Sequence, residues 1–237
     1  STFNHPIGNW NVSGVTNMSG MFSNNQIFNQ PLSGWNVSNV TNMSNMFYSN
    51  STFNQPLSSW TVSNVTNMSG MFYNNRIFNQ QIDNWDVSKV TNMSYMFFNS
   101  LFDQPLSGWN VSKVTLMFSM FNNSQFNQNI NNWNVSGVTN MSAMFSNNQI
   151  FNQPLSGWNV SKVTSMSEMF SKSPFNQPIN NWNVSGVTDM GAMFYQSQFN
   201  QPLSGWNVSN VISLFNMFRD SKFNQPIGNW DISKVSN

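Results

Sequence analysis

Residues 28–51, FNQPLSGWNVSNVTNMSNMFYSNS, are one copy of a unit that recurs along the entire chain. Its tryptophan is the marker. Trp10, Trp35, Trp60, Trp85, Trp109, Trp133, Trp158, Trp182, Trp206 and Trp230 follow one another at 25 or 24 residues and are the only ten in the sequence. Counted from each Trp, Phe stands seven before, Val (once Ile232) two after, and Val again five after. A Met-x-x-Met-Phe group begins eight after, broken only by Leu214. A period of this length is the signature of a solenoid, because one unit cannot bury its apolar face alone and must stack on its neighbours. Residues 1–237 are therefore expected to form a single solenoid of about ten coils, numbered here 1 to 10 by their tryptophans.

Within a coil the apolar set is named directly. Around Trp35 it is Phe28, Leu32, Trp35, Val37, Val40, Met43, Met46 and Phe47. Phe-Asn-Gln-Pro-Leu-Ser suits a short extended segment, with Pro keeping it out of a central sheet position. Trp-Asn-Val-Ser alternates as a strand does, and the apolar spacing of Val40, Met43, Met46 and Phe47 suits a short helix, partly 3-10, with Thr41 as its N-cap. The expected coil is short β-strand, turn, short helix and loop. All length differences between coils fall in one place, the loop between the Phe closing one unit and the Phe opening the next, six residues from Phe22 to Phe28 but five from Phe97 to Phe102. A loop that changes length without disturbing the stack belongs on an exposed edge, the first place to expect recognition. Tyr48, Tyr73, Arg76 and Tyr195 are the candidate binding residues there.

The polar columns are equally regular. Ser is third after every Trp, Asn or Asp follows every Trp except before Thr61, and Asn and Gln stand six and five before it, with Asp103 and His5 the departures. Stacked amides can hydrogen-bond along a column, either satisfying the backbone or presenting a flat polar face. A Gly/Asn/Lys column four after Trp, holding Lys89, Lys113, Lys162 and Lys234, reads as an exposed turn open to left-handed backbone angles. From coil 4 on, Leu and Ile alternate three before Trp, Leu preceding Ser-Gly and Ile preceding a pair ending in Asn, which marks a two-coil repeat arising from paired duplication or from alternating packing.

Several function classes are disfavoured by composition. Charged residues are 6% of the chain with a net charge of +1, so clustered cations for nucleic acid are missing. There is no Cys, no run of about 18 apolar residues to span a bilayer, and no phosphate-binding loop or metal-ligand cluster, so no cofactor or metal is expected. His5 stands alone, and Asp83 and Asp86 flank Trp85 in turn positions, which reads as a solvated face and not as a catalytic pair. The Met pairs read as core filler. Asn-x-Ser/Thr triplets are generated by the repeat itself; Asn50 and Asn122, in the loop, are the better candidates for glycosylation. No capping unit is visible at either end, the expectation for a segment of a longer chain or for subunits stacked end to end.

The run W-N-V-S-N-V-T-N-M-S-N-M-F followed by F-N-Q-P resembles the repeat of BspA-like leucine-rich repeat surface proteins. That resemblance implies a right-handed, leucine-rich-repeat-like solenoid with surface display and adhesion. The resulting expectation is a non-enzymatic, extracellular or cell-surface structural and adhesive protein, within a surface fibre or stacked on itself, whose partners are its own copies or other surface proteins and glycans. The alternatives are a binding module for one glycan or matrix protein at the loop edge and, more remotely, an ice-binding face.

Overall fold

The computed structural model describes residues 1–237 as a continuous stack of coils in register. The eight apolar residues named around Trp35 are all buried, and their counterparts join them in one cluster of 66 buried residues, so the core is a single column and not a series of separate domains. Aromatic rings repeat along it. Trp60 stacks between Trp35 and Trp85 with ring centroids 6.5 and 6.4 Å away. Phe47 lies 4.0 Å from Phe53 of the next coil, nearly parallel, an arrangement that recurs at each boundary. Each tryptophan from Trp35 on also sends its indole N–H back one coil to the carbonyl of the Leu or Ile column, Trp35 to Ile7 at 2.9 Å. Trp therefore suits this position twice over, by ring area and by a donor that reaches 28 residues back.

The coils are built from turns, which corrects the expectation of a strand and a helix in each. Leu32 and Trp35, Val37 and Val40, Met43 and Met46, and Phe47 and Asn50 are bonded pairs, in which the later N–H donates to the earlier carbonyl across a turn. The i, i+3 apolar spacing that suggested a helix is the spacing of turn ends, both pointing into the core. Two residues per coil are left-handed, Asn45 (φ 55°) and Ser49 (φ 49°) in coil 2, and a helix cannot pass through them. The physical reason is pairing. A helix of two turns would leave most of its N–H and C=O groups without partners. Here the N–H groups of Met43, Asn45, Phe47 and Ser49 all donate to the next coil, to Asn67, Ser69, Met71 and Tyr73. Thr41 caps nothing; its N–H and its hydroxyl both bond to the Thr16 carbonyl one coil back. β-type pairing between coils is confined to single-residue parallel bridges, from Asn17 with Asn42 through Asp189 with Ser213, instead of strands at Trp-Asn-Val-Ser.

The left-handed column ten residues after Trp holds Gly20 and Gly70 but also Ala143 (φ 53°), where a side chain brings strain without a polar group to offset it. Ala143→Gly is expected to stabilise the chain by about 1 kcal/mol, read as a higher urea midpoint at unchanged slope. The Gly/Asn/Lys column is an exposed turn as expected, but its residues are not left-handed; Asn39 instead donates to the Ser13 carbonyl and Lys89 to the Asn64 side chain.

The polar ladders serve the backbone. Asn29 Oδ1 accepts the N–H of Asn54 in the next coil, and Asp103, the one departure from Asn, accepts from Asn127 in the same way. The two-coil alternation has a packing cause as well. In Leu coils the glycine before Trp donates its N–H to the Asn or Asp of the preceding Ile coil, as Gly157 does to Asn131 and Gly108 to Asp83. A Cβ on Gly157 would come within 2.7 Å of the Asn131 carbonyl. The Ile coils answer with an Asn that donates backward, Asn132 to Ser107 and Asn181 to Ser156. Large and small therefore dovetail along this edge.

The variable loop is tied to the core at its third residue. In the 25-residue coils the residue three before the next Phe is a buried Asn, namely Asn25, Asn50, Asn75 or Asn148; in the 24-residue coils the residue two before it is Ser100, Ser124, Ser173, Ser197 or Ser221. Asn50 Oδ1 accepts from the N–H groups of Thr52 and Phe53, three residues on, while Ser100 Oγ accepts from Phe102, two residues on. Loop length and anchor type are one choice, set by the reach of the side chain.

Candidate functional site

Most surface columns are occupied by residues that hold the stack together. Two columns, ten and thirteen residues after Trp, differ widely from coil to coil and lie beside column nine, which is mostly Ser, on one face. Column thirteen reads Ser23, Tyr48, Tyr73, Phe98, Asn122, Ser146, Ser171, Tyr195 and Arg219. Its three consecutive rings form a ladder, Tyr48 to Tyr73 at 4.4 Å and Tyr73 to Phe98 at 4.5 Å, both close to parallel. Tyr95, in column ten, stands edge-on to Tyr73 and Phe98 at 6.0 Å, and Phe118, in column nine, meets Tyr95 edge-on at 4.8 Å. Together they border the coil 2 to 5 part of a trough of about 750 Å³ that runs on past Ala143 to Glu168 of coil 7. At the coil 1 end, where the columns fall to Ser19, Gly20 and Ser23, Tyr48 walls a second notch of about 410 Å³.

Tyr95 occupies a left-handed position (φ 58°) that Gly20, Asn45 and Gly70 fill in the coils before it. Such an angle costs a bulky residue about 1–2 kcal/mol. The edge-on aromatic contacts, each about 0.5–1.5 kcal/mol, offset it. Beside it, Ser94 is buried, and its hydroxyl has no hydrogen-bond partner. Tyr73 has its phenol pushed above 10.0 by burial, with the adjoining Tyr48 phenol adding to the rise. A group whose value is raised by folding contributes stability that is complete below its unfolded value and lost as pH rises through the folded one. Tyr73→Phe, which Phe98 shows to fit the column, is expected to flatten part of the alkaline fall in unfolding midpoint while leaving neutral pH unchanged.

The expected binding residues do not form one patch. Tyr48 and Tyr73 are neighbours in the ladder; Tyr195 lies beyond Asn122, Ser146 and Ser171, in a separate hollow of about 240 Å³ with Lys172 Nζ 5.9 Å from its ring centre. Arg76 is exposed on the loop and does not line the trough. Tyr95, Phe98, Phe118 and Ser94 escaped the sequence reading. Their signal was present as outliers within columns, Tyr95 where neighbours are Gly or Asn, and Phe118 in a column of Ser.

Of the two glycosylation candidates, Asn50 is corrected: it is fully buried, and its amide donates to the Phe28 carbonyl. The loop around it is exposed, but this residue is the anchor that turns inward. Asn122 is half-buried and lines the trough. The two carboxylates beside Trp85 serve the backbone, one between coils and one within a turn. Asp83 accepts from Gly108, and the hydroxyl and amide of Ser88 hold the Asp86 carboxyl below the usual carboxylate range.

The family described as "Mycoplasma protein of unknown function, DUF285" matches the chain over residues 1–101, 73–175, 97–198 and 158–237. These overlapping matches span its whole length. The chain belongs to this family. Repeated, overlapping matches of one family along a chain are what a tandem repeat produces, and they agree with the stacked core. No curated protein and no solved structure matches the chain. No helix is long and apolar enough to cross a membrane.

Proposed function

We propose that the chain is a non-enzymatic recognition scaffold, displayed outside the cell and adhesive in role, of the kind that BspA-like leucine-rich repeat surface proteins exemplify. One observation carries the reading: columns ten and thirteen, whose side chains line the trough, change from coil to coil, whereas the Thr column that bonds one coil to the next is almost constant. The Thr column is Thr at Thr16, Thr41, Thr66, Thr91, Thr115, Thr139, Thr164 and Thr188, and each hydroxyl from Thr41 to Thr188 bonds to the coil before. The neighbouring columns nine, ten and thirteen instead carry Gly, Ala, Ser, Asn, Glu, Tyr, Phe and Arg. A repeat protein holds its stacking columns constant and is free to diversify a binding face. The trough, with aromatic walls and amide and hydroxyl groups along it, has the mixed lining of a binding site.

Two measurements test this. Protease treatment of intact native cells should remove the protein if it is displayed. Beads coated with the 237-residue chain should be retained on surfaces carrying host glycoproteins or matrix proteins well above albumin-coated beads. Protection of the protein in intact cells, or equal retention of both beads on every surface, would sink the proposal.

A further inference from the structure

We propose that the trough along coils 2 to 5 binds an uncharged oligosaccharide, its units lying along the stacking axis across Tyr48, Tyr73, Tyr95 and Phe98. This rests on the recognition role above and names its ligand class.

Charge comes first. Within coils 2 to 5 the trough lining has no charged side chain; Glu168, at its far end, is the one carboxylate. An acidic polymer finds no cation to neutralise it, and nucleic acid least of all. A neutral ligand enters without that requirement.

The lining then favours a molecule with apolar faces and a rim of hydroxyl groups. Tyrosine offers an apolar ring and a polar tip: the stacked rings of Tyr48, Tyr73 and Phe98 cover one another's faces and present a wall of edges, while the exposed Tyr95 stands across them. Between them are donors with capacity to spare. Asn92 uses its Oδ1 to accept from the Ser94 N–H, which leaves its amide NH2 to donate. The Ser94 hydroxyl, buried and unpartnered, is the kind of group whose pairing a ligand hydroxyl would complete.

A peptide is the competing occupant, and the backbone argues against it. A peptide added as a strand needs free main-chain groups. The N–H groups of Asn45, Gly70 and Tyr95 already donate to Ser69, Ser94 and Phe118 of the following coils. Recognition here falls to side chains, as it does for sugars.

The test is an array of neutral glycans with sialylated and sulfated counterparts and a proline-rich peptide, followed by calorimetric titration of the best binder. Two variants borrow residues that the same columns already use: Tyr95→Gly, after Gly70, and Tyr73→Ser, after Ser171. Tyr195→Ser, outside the trough, is the control, and thermal melts establish that all three fold. The expected result is selection of a neutral glycan, a loss of affinity of about tenfold or more in each trough variant, and no change in the control. Preference for acidic glycans or for the peptide, absence of binding, or equal affinity in the trough variants would overturn the proposal. Retention of coated beads that persists in the trough variants would defeat the saccharide site and leave the adhesive role standing. Failure of the wild-type chain to be retained anywhere would defeat the adhesive role itself.

Discussion

Trp60→Ala is expected to cost about 4 kcal/mol or more, the largest loss of any single core substitution described here. Trp60 is 3% exposed, stacks on Trp35 and Trp85, and donates its indole N–H to the Leu32 carbonyl at 3.0 Å. Alanine removes the ring from the middle of a column whose neighbours cannot close the gap without leaving register. Because each coil contacts only the coils beside it, damage at coil 3 also uncouples the two sides of the stack. Urea unfolding should show a lower midpoint and a shallower or split transition. Trp60→Phe separates the two contributions. It keeps a ring, and the Leu32 carbonyl retains the backbone bond from Trp35, so the lost hydrogen bond is expected to account for only about 1 kcal/mol beyond the repacking. Trp10→Ala provides the contrast. Trp10 is 50% exposed at the end of the stack, and its loss should cost about 1 kcal/mol. Similar losses at Trp10 and Trp60 would contradict a core that runs through the coils.

The second large effect concerns the loop anchor. Asn148 is fully buried; its amide donates to the Phe126 carbonyl at 3.0 Å, and its Oδ1 accepts from Ile150 and Phe151 at 3.0 and 2.9 Å. In Asn148→Ser the shorter side chain reaches neither the Phe126 carbonyl nor the Phe151 N–H. Two buried backbone groups lose their partners, for an expected loss of about 2–4 kcal/mol in urea or thermal unfolding. Deleting Gln149 in the same variant should recover most of that loss. The shortened loop then reads Ser-Ile-Phe, the pattern of Ser100, Leu101 and Phe102, in which the serine hydroxyl bonds two residues on. A double change no more stable than Asn148→Ser alone would show that loop length and anchor are independent. The pairing also explains why two coil lengths coexist without a break in register: each length brings its own way of closing the turn against the core.

Much of this was legible in the repeat. Eight aligned columns of Phe, Leu or Ile, Trp, Val, Val, Met, Met and Phe can be buried together only by stacking, so the core and its composition followed from spacing. The mixed trough was harder to see. Tyr48 and Tyr73 were visible as aromatic residues near the loop, but Tyr195 and Arg76 looked equally good. What separates them is a run of small and polar residues at Asn122, Ser146 and Ser171 and a loop geometry that no single coil reveals. Asn50 misled for a related reason: polar residues in an exposed loop read as solvated, whereas this one is turned inward by two N–H groups that have no other acceptor.

The sequence by itself determined the period, the identity of the buried residues, the place where length varies and the scarcity of charge. Each of these is a property of one coil compared with the next along the chain. Only the tertiary structure decided that turns replace the helix, that two residues per coil are left-handed, which loop residue anchors each length, and that five aromatic rings share one face. The reason is where the hydrogen bonds go. The N–H groups of Met43, Asn45, Phe47 and Ser49 find their partners one coil away, and so does the indole of every buried tryptophan. A local pattern fixes which side chains are apolar, but the backbone conformation that joins them is chosen by partners about 25 residues distant, which become neighbours only when the coils are stacked.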